Sequence, residues 1–291
     1  MIIYLKRIQS EEFNFKTIYL VYLILLILLN PVNIIFMEYV MSRFFVSPQQ
    51  IEDGHVYITG TDVVHISRVL RLGPGAPLTV LDGRGKAYEA VIEQVGTNEI
   101  VCCIRKEFDA ATAPPIKITL VQGIPKGNKM DLIIEKGTEL GVSRFIPLTC
   151  RRAVVKLEDG RSVKKLERWQ RIAMESAKQC RRPDIPEVSE PADWGKVLSG
   201  MPPHAAGLIP WEEEDSQTLK DFLEGSPPGE EIYVFIGPEG GFDPGEVEMA
   251  RERGICPVSL GSRILRTETA GIAVVTMVLY QWGDLGGKRD G

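Results

Sequence analysis

Two glycine-bearing segments hold the residues best suited to ligand chemistry: Ile236-Gly237-Pro238-Glu239-Gly240-Gly241-Phe242 and Leu260-Gly261-Ser262-Arg263-Ile264-Leu265-Arg266-Thr267-Glu268-Thr269-Ala270. Each follows an apolar, strand-like run and leads into a helix-like one, and open α/β sheets bind ligands at such strand ends. Glycine there lets the backbone approach a ligand closely or take positive φ. Exposed N–H groups of such loops and helix starts can hold an adenine edge or a carboxylate. The plainer alternative is a pair of tight turns whose glycines only make the corner. Arg266 brings a fixed positive charge to the second segment, and its alternative use is an ion pair with Glu239 or Glu268. Glu268 could accept a proton, although a carboxylate at a helix start also serves as a cap or an arginine partner.

Other chemistries find no support. No G-x-G-x-x-G follows a strand, and Gly123 to Lys129 lacks the G-x-x-x-x-G-K-[ST] spacing of a phosphate loop. No Ser sits in a G-x-S-x-G turn. The three His and five Cys show no zinc-ligand spacing, so no metal is expected. Cys102 and Cys103 are adjacent in a strand-like run and should face opposite sides, while Cys150, Cys180 and Cys256 stand alone as thiols of a reducing compartment.

Positioning those segments takes a framework of strands and helices. From Ile116 onward, strands alternate with helices, the rhythm of a mostly parallel α/β sheet. Strands are expected at Ile116–Val121, Phe145–Leu148, Ala205–Ile209, Ile232–Ile236 and Pro257–Leu260, with helices at Asn128–Leu140, Ser162–Gln179 and Thr269–Trp282. Asp243-Pro244-Gly245-Glu246 reads as a helix start, with Asp as N-cap, Pro at the first position and Glu closing a capping box. Residues 42–108 instead show short runs in close succession, broken by Gly, Pro and Asp clusters, with one helical piece at Asp62–Leu70. That pattern predicts a compact β-barrel. Asp109 to Pro115 is the linker, since consecutive prolines resist helix and sheet.

The net charge is −5, which is awkward for a nucleic-acid partner because phosphate contacts need Lys and Arg. The basic residues are unevenly placed, however, with Arg151-Arg152, Lys156, Arg161, Lys164-Lys165, Arg168, Arg171, Lys178 and Arg181-Arg182 crowding one stretch. On the Ser162–Gln179 helix, Val163, Leu166, Trp169, Ala173 and Ala177 should form the buried face and the basic residues the opposite one. A solvated face is the alternative reading of that run.

The first forty residues differ from the rest. Ile18–Leu29 is an apolar run preceded by Lys6, Arg7 and Lys16. It falls short of the roughly 20 residues a spanning helix needs, and no small-x-small cleavage site follows. Met41 is followed at once by the soluble pattern, so residues 1–40 are expected to be an upstream or dispensable extension. The alternative is a membrane anchor.

Several separated stretches resemble one family. The two glycine loops are similar to the late loops of the SPOUT methyltransferases, and more narrowly of the RsmE-type ribosomal RNA uridine-N3 methyltransferases. Lys126-Gly127 with Lys129, Asp131 and Ile134 to Gly141 match the same family, as do Glu175 with Ala177 to Cys180. In the small domain Arg43 to Val46, His65-Ile66 and Val69-Leu70-Arg71 also fit. The resemblance covers residues 41–291 and none of 1–40.

It implies a PUA-like RNA-binding barrel at 41–112 and a SPOUT α/β sheet domain at 116–291 with a C-terminal trefoil knot. It also implies a cytoplasmic homodimer that uses S-adenosylmethionine and acts on 16S ribosomal RNA of the small ribosomal subunit. Carried onto this chain, the cofactor residues are Leu208, Ile209, Pro210, Ile236, Gly237, Pro238, Glu239, Gly240, Leu260, Gly261, Ile264, Leu265, Thr269 and Ala270. Leu208 to Pro210 match the family only loosely. Arg266 and Glu268 become the catalytic candidates, and Arg43, Arg68, Arg71, Lys164, Lys165, Arg168 and Arg171 the RNA contacts. Rival expectations are a SPOUT enzyme acting on another RNA or a ribose 2′-hydroxyl, and an RNA-binding protein without catalysis.

Overall fold

The computed structural model describes residues 43–110, 115–153, 159–180, 182–203, 205–225 and 229–287, without the side chains of 159–161. The expectations for the 1–40 extension and Met41, for most of the linker, and for Lys156, Arg181 and His204 lie outside the described residues. Among the described residues no helix is long and apolar enough to cross a membrane.

The first part is a six-stranded sheet built from β1 (Arg43–Phe45), β2 (Ile51–Glu52), β3 (His55–Thr59), β4 (Pro77–Leu81), β5 (Lys86–Val95) and β6 (Glu99–Asp109). Its order is β1-β4-β5-β6-β3-β2, with β1 parallel to β4 and the other pairs antiparallel. Alternate residues such as Val56, Ile58, Leu78, Val80, Ala90 and Ile92 close over one core. Cys102 faces that core and Cys103 the outer side, as the alternation requires. The expected helix at Asp62–Leu70 is a short α1 (Thr61–Val64) that widens into a π turn over His65–Val69. The Leu70 amide reaches back five residues to the His65 carbonyl, and Arg71 exits at φ 55°.

The second part is an all-parallel sheet of order β12-β10-β11-β7-β8-β9. Its strands are β7 (Lys117–Gly123), β8 (Arg144–Leu148), β9 (Glu187–Val188), β10 (Ala206–Pro210), β11 (Glu231–Ile236) and β12 (Cys256–Val258). The helices are α2 (Lys129–Leu140), α3 (Asp159–Cys180), α4 (Trp194–Gly200), α5 (Leu219–Gly225), α6 (Pro244–Arg251) and α7 (Thr267–Trp282). Both faces are covered, so the central strands read as near-continuous apolar runs. Ile118 and Leu120 enter the core under α2, α3 and α7, while Val121 enters the opposite core against Trp194, Phe235 and Val247.

Most expected elements appear, with corrections. The last strand ends at Val258 rather than Leu260, and α7 begins at Thr267 rather than Thr269. The short α4, α5 and β9 had no sequence signal long enough to read. Val163 is 57% exposed instead of buried. Arg168 of α3 meets Asp131 in the first turn of α2, so the 22-residue α3 overhangs the 12-residue α2 before that point. Trp169, Ala173 and Ala177 are buried as expected.

A short segment after α3 joins the two parts. Just past the end of α2, the Arg182 guanidinium donates to the Thr138 and Val142 carbonyls at 3.0 and 2.7 Å, the former shared with the Gly141 amide, and to Asp184 at 2.6 Å. Asp184 bridges to Gly83 and Arg84 of the small domain, and the Ile185 amide donates to the Gly83 carbonyl. Lys178 adds an ion pair to Asp62 at 3.3 Å. Only 11% of the Arg182 side chain is exposed, and truncation would take the guanidinium from the Val142 carbonyl and the counter-ion from Asp184. Arg182→Ala should lower the unfolding free energy by about 3 kcal/mol, as expected for a buried, multiply bonded charge. Urea unfolding followed by circular dichroism checks this, and a loss under about 1 kcal/mol would contradict the bracket.

Candidate functional site

The carboxyl ends of β10, β11 and β12 converge on one cleft of about 740 Å³, a size normal for small-molecule sites. Its walls are the segment after β10 (Pro210 to Glu212), the glycine loop after β11 (Ile236 to Phe242) and the loop from Ser259 to Thr267. The peptide groups from Ser262 to Leu265 belong to no strand or helix. Gly241 and Gly261 turn at φ 67° and 96°, where other residues would be strained.

The floor is set by close approach. A Cβ on Gly123 would stand 2.6 Å from Pro238 Cδ, so the last residue of β7 must be glycine for the loop to lie over it. Beside it, the buried Gln122 amide donates to the Gly123 carbonyl and to the Thr267 hydroxyl at 3.0 and 2.9 Å. Thr267 in turn donates to the Gly237 carbonyl at 2.5 Å. This chain fastens β7, the glycine loop and the start of α7 to one another.

At the rim, the Lys129 ammonium lies 2.9 Å from Glu239 and 3.3 Å from Glu268. Glu239 also accepts from the Lys126 amide. The hydrogen bond Lys129 donates to Glu239, and then that to Glu268, raises the Lys129 pKa against the opposing desolvation, so the ammonium holds its proton. Burial pushes the Glu239 carboxyl up, but its Lys129 and amide hydrogen bonds outweigh this and the net shift is downward. Arg266 lines the same cleft and is exposed. It makes no salt bridge with Glu239 or Glu268; Lys129 takes both carboxylates instead.

The outer wall depends on one buried carboxylate. Glu246 closes the expected capping box with Asp243 on α6. It also accepts from the Arg151 amide at 2.8 Å and from the Trp194 indole at 3.0 Å. Trp194 stacks on Phe235 and meets Phe242 edge-on, both at 5.3 Å. The Arg151-Arg152 turn is thereby held against Gly240, whose Cβ position is 3.2 Å from Arg152.

Of the expected cofactor residues, the cleft gathers Pro210, Ile236, Gly237, Pro238, Glu239, Leu260, Gly261, Ile264, Leu265 and Ala270. Leu208 and Ile209 are wholly buried in β10 and do not line it. Gly240 packs on Arg152, and Thr269 is exposed on α7 and does not line the cleft. Glu268 does not line the cleft either; its Oε2 is buried beside Lys129. Sequence reading did not assign Lys129, Trp211, Glu212, Phe242, Arg263 or Thr267 to the site, although Lys129 and Thr267 fell within family-like stretches.

The expected nucleic-acid residues fall in different settings. Arg43, Arg68 and Arg71 are exposed on the small domain. Val64, Val69 and Leu70 are exposed beside Arg68 and Arg71 in the chain. On α3, Lys164 is exposed and Lys165 half-buried, but Arg168 is paired with Asp131. Arg171 lines a groove with Glu135, Glu139 and Glu175, so this face is of mixed sign and not uniformly basic.

Comparison with known proteins places this architecture. Residues 112–279 match the model of the RNA methyltransferase domain, and residues 58–104 that of the RNA methyltransferase PUA domain. The chain is 34% identical to the ribosomal RNA small subunit methyltransferase E of Bacillus subtilis, over 83% of this chain and 97% of that one. It is also 34% identical to the Synechocystis protein of the same name, over 81% and 76%. The Neisseria gonorrhoeae ribosomal RNA small subunit methyltransferase E, solved with S-adenosyl methionine bound, superposes with a TM-score of 0.74 at 33% identity, over 84% of this chain and 99% of that one. The chain belongs to the family of RNA methyltransferases that includes these small-subunit methyltransferases E.

Proposed function

We propose that this enzyme methylates N3 of a uridine in 16S ribosomal RNA, with residues 41–112 docking the RNA and 116–291 carrying the chemistry. The observation that supports this best is Arg266, a guanidinium with no ion pair among the described residues, in a glycine-walled cleft at the ends of three parallel strands. The cleft fits S-adenosylmethionine, the ligand of the Neisseria relative. Pro210, Trp211, Ile236, Leu260 and Leu265 offer an apolar wall for a flat adenine, and the non-helical peptide groups of Ser262 to Leu265 its polar edge. When bound, that cofactor supplies an electrophilic methyl group.

N3 lies on the Watson–Crick edge, so the uridine must be unpaired or flipped to enter. Its N–H must lose a proton, leaving negative charge on the pyrimidine. Arg266 stands where it can neutralise that charge. Lys129 stays protonated and so does not take the N3 proton; with Glu239 it braces the rim. Glu268 serves as a second counter-ion of Lys129.

The family's trefoil knot and homodimer belong to the same proposal. The insertion of β11 between β10 and β7 supports the threading. Exposed Leu132 on α2, with Met277 and Tyr280 on α7, supports a subunit contact. The family relation also favours action in the cytoplasm, where ribosomal subunits are.

The direct test incubates the purified chain with S-adenosylmethionine and undermethylated small ribosomal subunits, then analyses digested nucleosides by mass spectrometry. N3-methyluridine is expected; a 2′-O-methyl product would keep the fold and overturn the substrate atom. Arg266→Ala should slow transfer by about 100-fold or more, the scale of losing one charge-stabilising donor, while calorimetric cofactor affinity changes little. Full turnover by that variant removes the role.

Arg68 and Arg71 make no salt bridge among the described residues, whereas Arg168 does. Arg68→Gln and Arg71→Asn, the latter tolerant of positive φ, should each flatten the slope of log affinity against log salt by about 1. Arg168→Gln should change it less, because its charge is already matched by Asp131. Equal slopes for all three would contradict the assignment.

A further inference from the structure

We propose that His55, Glu93 and Cys103 on the outer face of the small domain bind a divalent first-row transition ion of the zinc class. Their spacing in the chain gives no hint of this, because each comes from a different strand. His55 on β3 and Cys103 on β6 are direct cross-strand partners. Glu93 sits on β5 where the register slips between Ile92 and Gln94. Such a bulge re-aims the side chain at the slip. One ligand atom from each residue falls within 4.8 Å of the other two.

The protonation pattern of His55 points the same way. Its Nδ1 lies 3.0 Å from the Asp53 carbonyl oxygen, which accepts and cannot donate, so Nδ1 carries a hydrogen. In the neutral ring Nε2 therefore presents a lone pair, and the hydrogen bond to a carbonyl is the usual support of a metal-bound imidazole. That lone pair faces Glu93 Oε2 at 3.3 Å. Two acceptors at this distance require a cation between them or a proton on the ring. The edge of a tetrahedron with zinc–ligand bonds of about 2.0–2.1 Å is about 3.3 Å, which matches the observed separation.

Imidazole, carboxylate and thiolate together suit a borderline-soft ion and not Mg²⁺ or Ca²⁺. Cys103 is the thiol available here, since Cys102 points into the core. Binding takes the Sγ proton into solvent and leaves the fourth vertex to water, as the partial exposure of His55 and Glu93 permits. The ion would clip β3, β5 and β6 together. This site is independent of the cleft and of the methylation reading.

Chelator-treated full-length protein titrated with Co²⁺ should develop a thiolate-to-cobalt charge-transfer band and tetrahedral d–d bands at one equivalent, displaced by Zn²⁺. Cys103→Ser should lose the charge-transfer band. His55→Ala and Glu93→Gln should weaken binding at least about tenfold, since even outer-sphere changes do so. Cys256→Ser should leave the spectrum unchanged. Absence of a thiolate band in the wild type, or its survival in Cys103→Ser, would overturn the proposal and leave an ordinary imidazolium–carboxylate pair.

Discussion

The NH2 of a primary amide buried in a central strand of a parallel sheet needs acceptors, because desolvating it without them costs about 1–3 kcal/mol. Gln122 is such a group, and the pairing of its NH2, whose companion Oε1 has no hydrogen-bond partner among the described residues, organises the catalytic half of the molecule. Its amide finds the Thr267 hydroxyl, 145 positions further along the chain, and Thr267 passes the bond on to Gly237. Three separate segments are thereby fixed relative to one another at the carboxyl edge of the sheet. Gly123 must then lack a side chain, because the glycine loop it supports passes too close for one. The cleft follows from these contacts.

Charge is distributed by the same logic of satisfaction. Glu268, close to Arg266 in sequence, and Glu239, on the other glycine loop of the cleft, would be its natural partners. Lys129, projecting from the first turn of α2, reaches both of them first. Arg266 is left exposed in the cleft with no ion pair among the described residues. A net charge of −5 therefore says little about how the protein meets a polyanion. What matters is which cations lack an internal counter-ion, and the small domain's Arg68 and Arg71 differ from Arg168 in that respect.

Local chemistry was legible in the sequence, and long-range use of the same residues was not. The Asp243–Glu246 capping box could be read directly, since it depends on four adjacent residues. That Glu246 would also hold Arg151 and Trp194 could not, because those partners lie 95 and 52 positions away. Helix periodicity placed Trp169 and Ala173 correctly but failed at Val163, where the helix outruns the neighbour that would cover it. The cleft loops were found through glycine pattern and family likeness. Burial of the Leu208 and Ile209 side chains could not be read, because a strand's apolar residues look alike whether they line a ligand or a core. Grouping of His55, Glu93 and Cys103 depends on strand register and a bulge, neither of which composition encodes.

The arrangement of α2 gives the two halves a mechanical relation. Its first residue, Lys129, holds the rim of the cleft through Glu239 and Glu268. Near its other end, the Thr138 carbonyl is gripped by Arg182, whose carboxylate partner Asp184 touches Gly83 of the small domain. Twelve helical residues span about 18 Å at 1.5 Å per residue. A helix of that length, packed on α3 and α7, behaves as a stiff strut. One end registers where the small domain sits, and the other positions the charges beside Arg266. A docked RNA held by the small domain would therefore be presented to the cleft at a distance set by covalent helix geometry rather than by a loose linker.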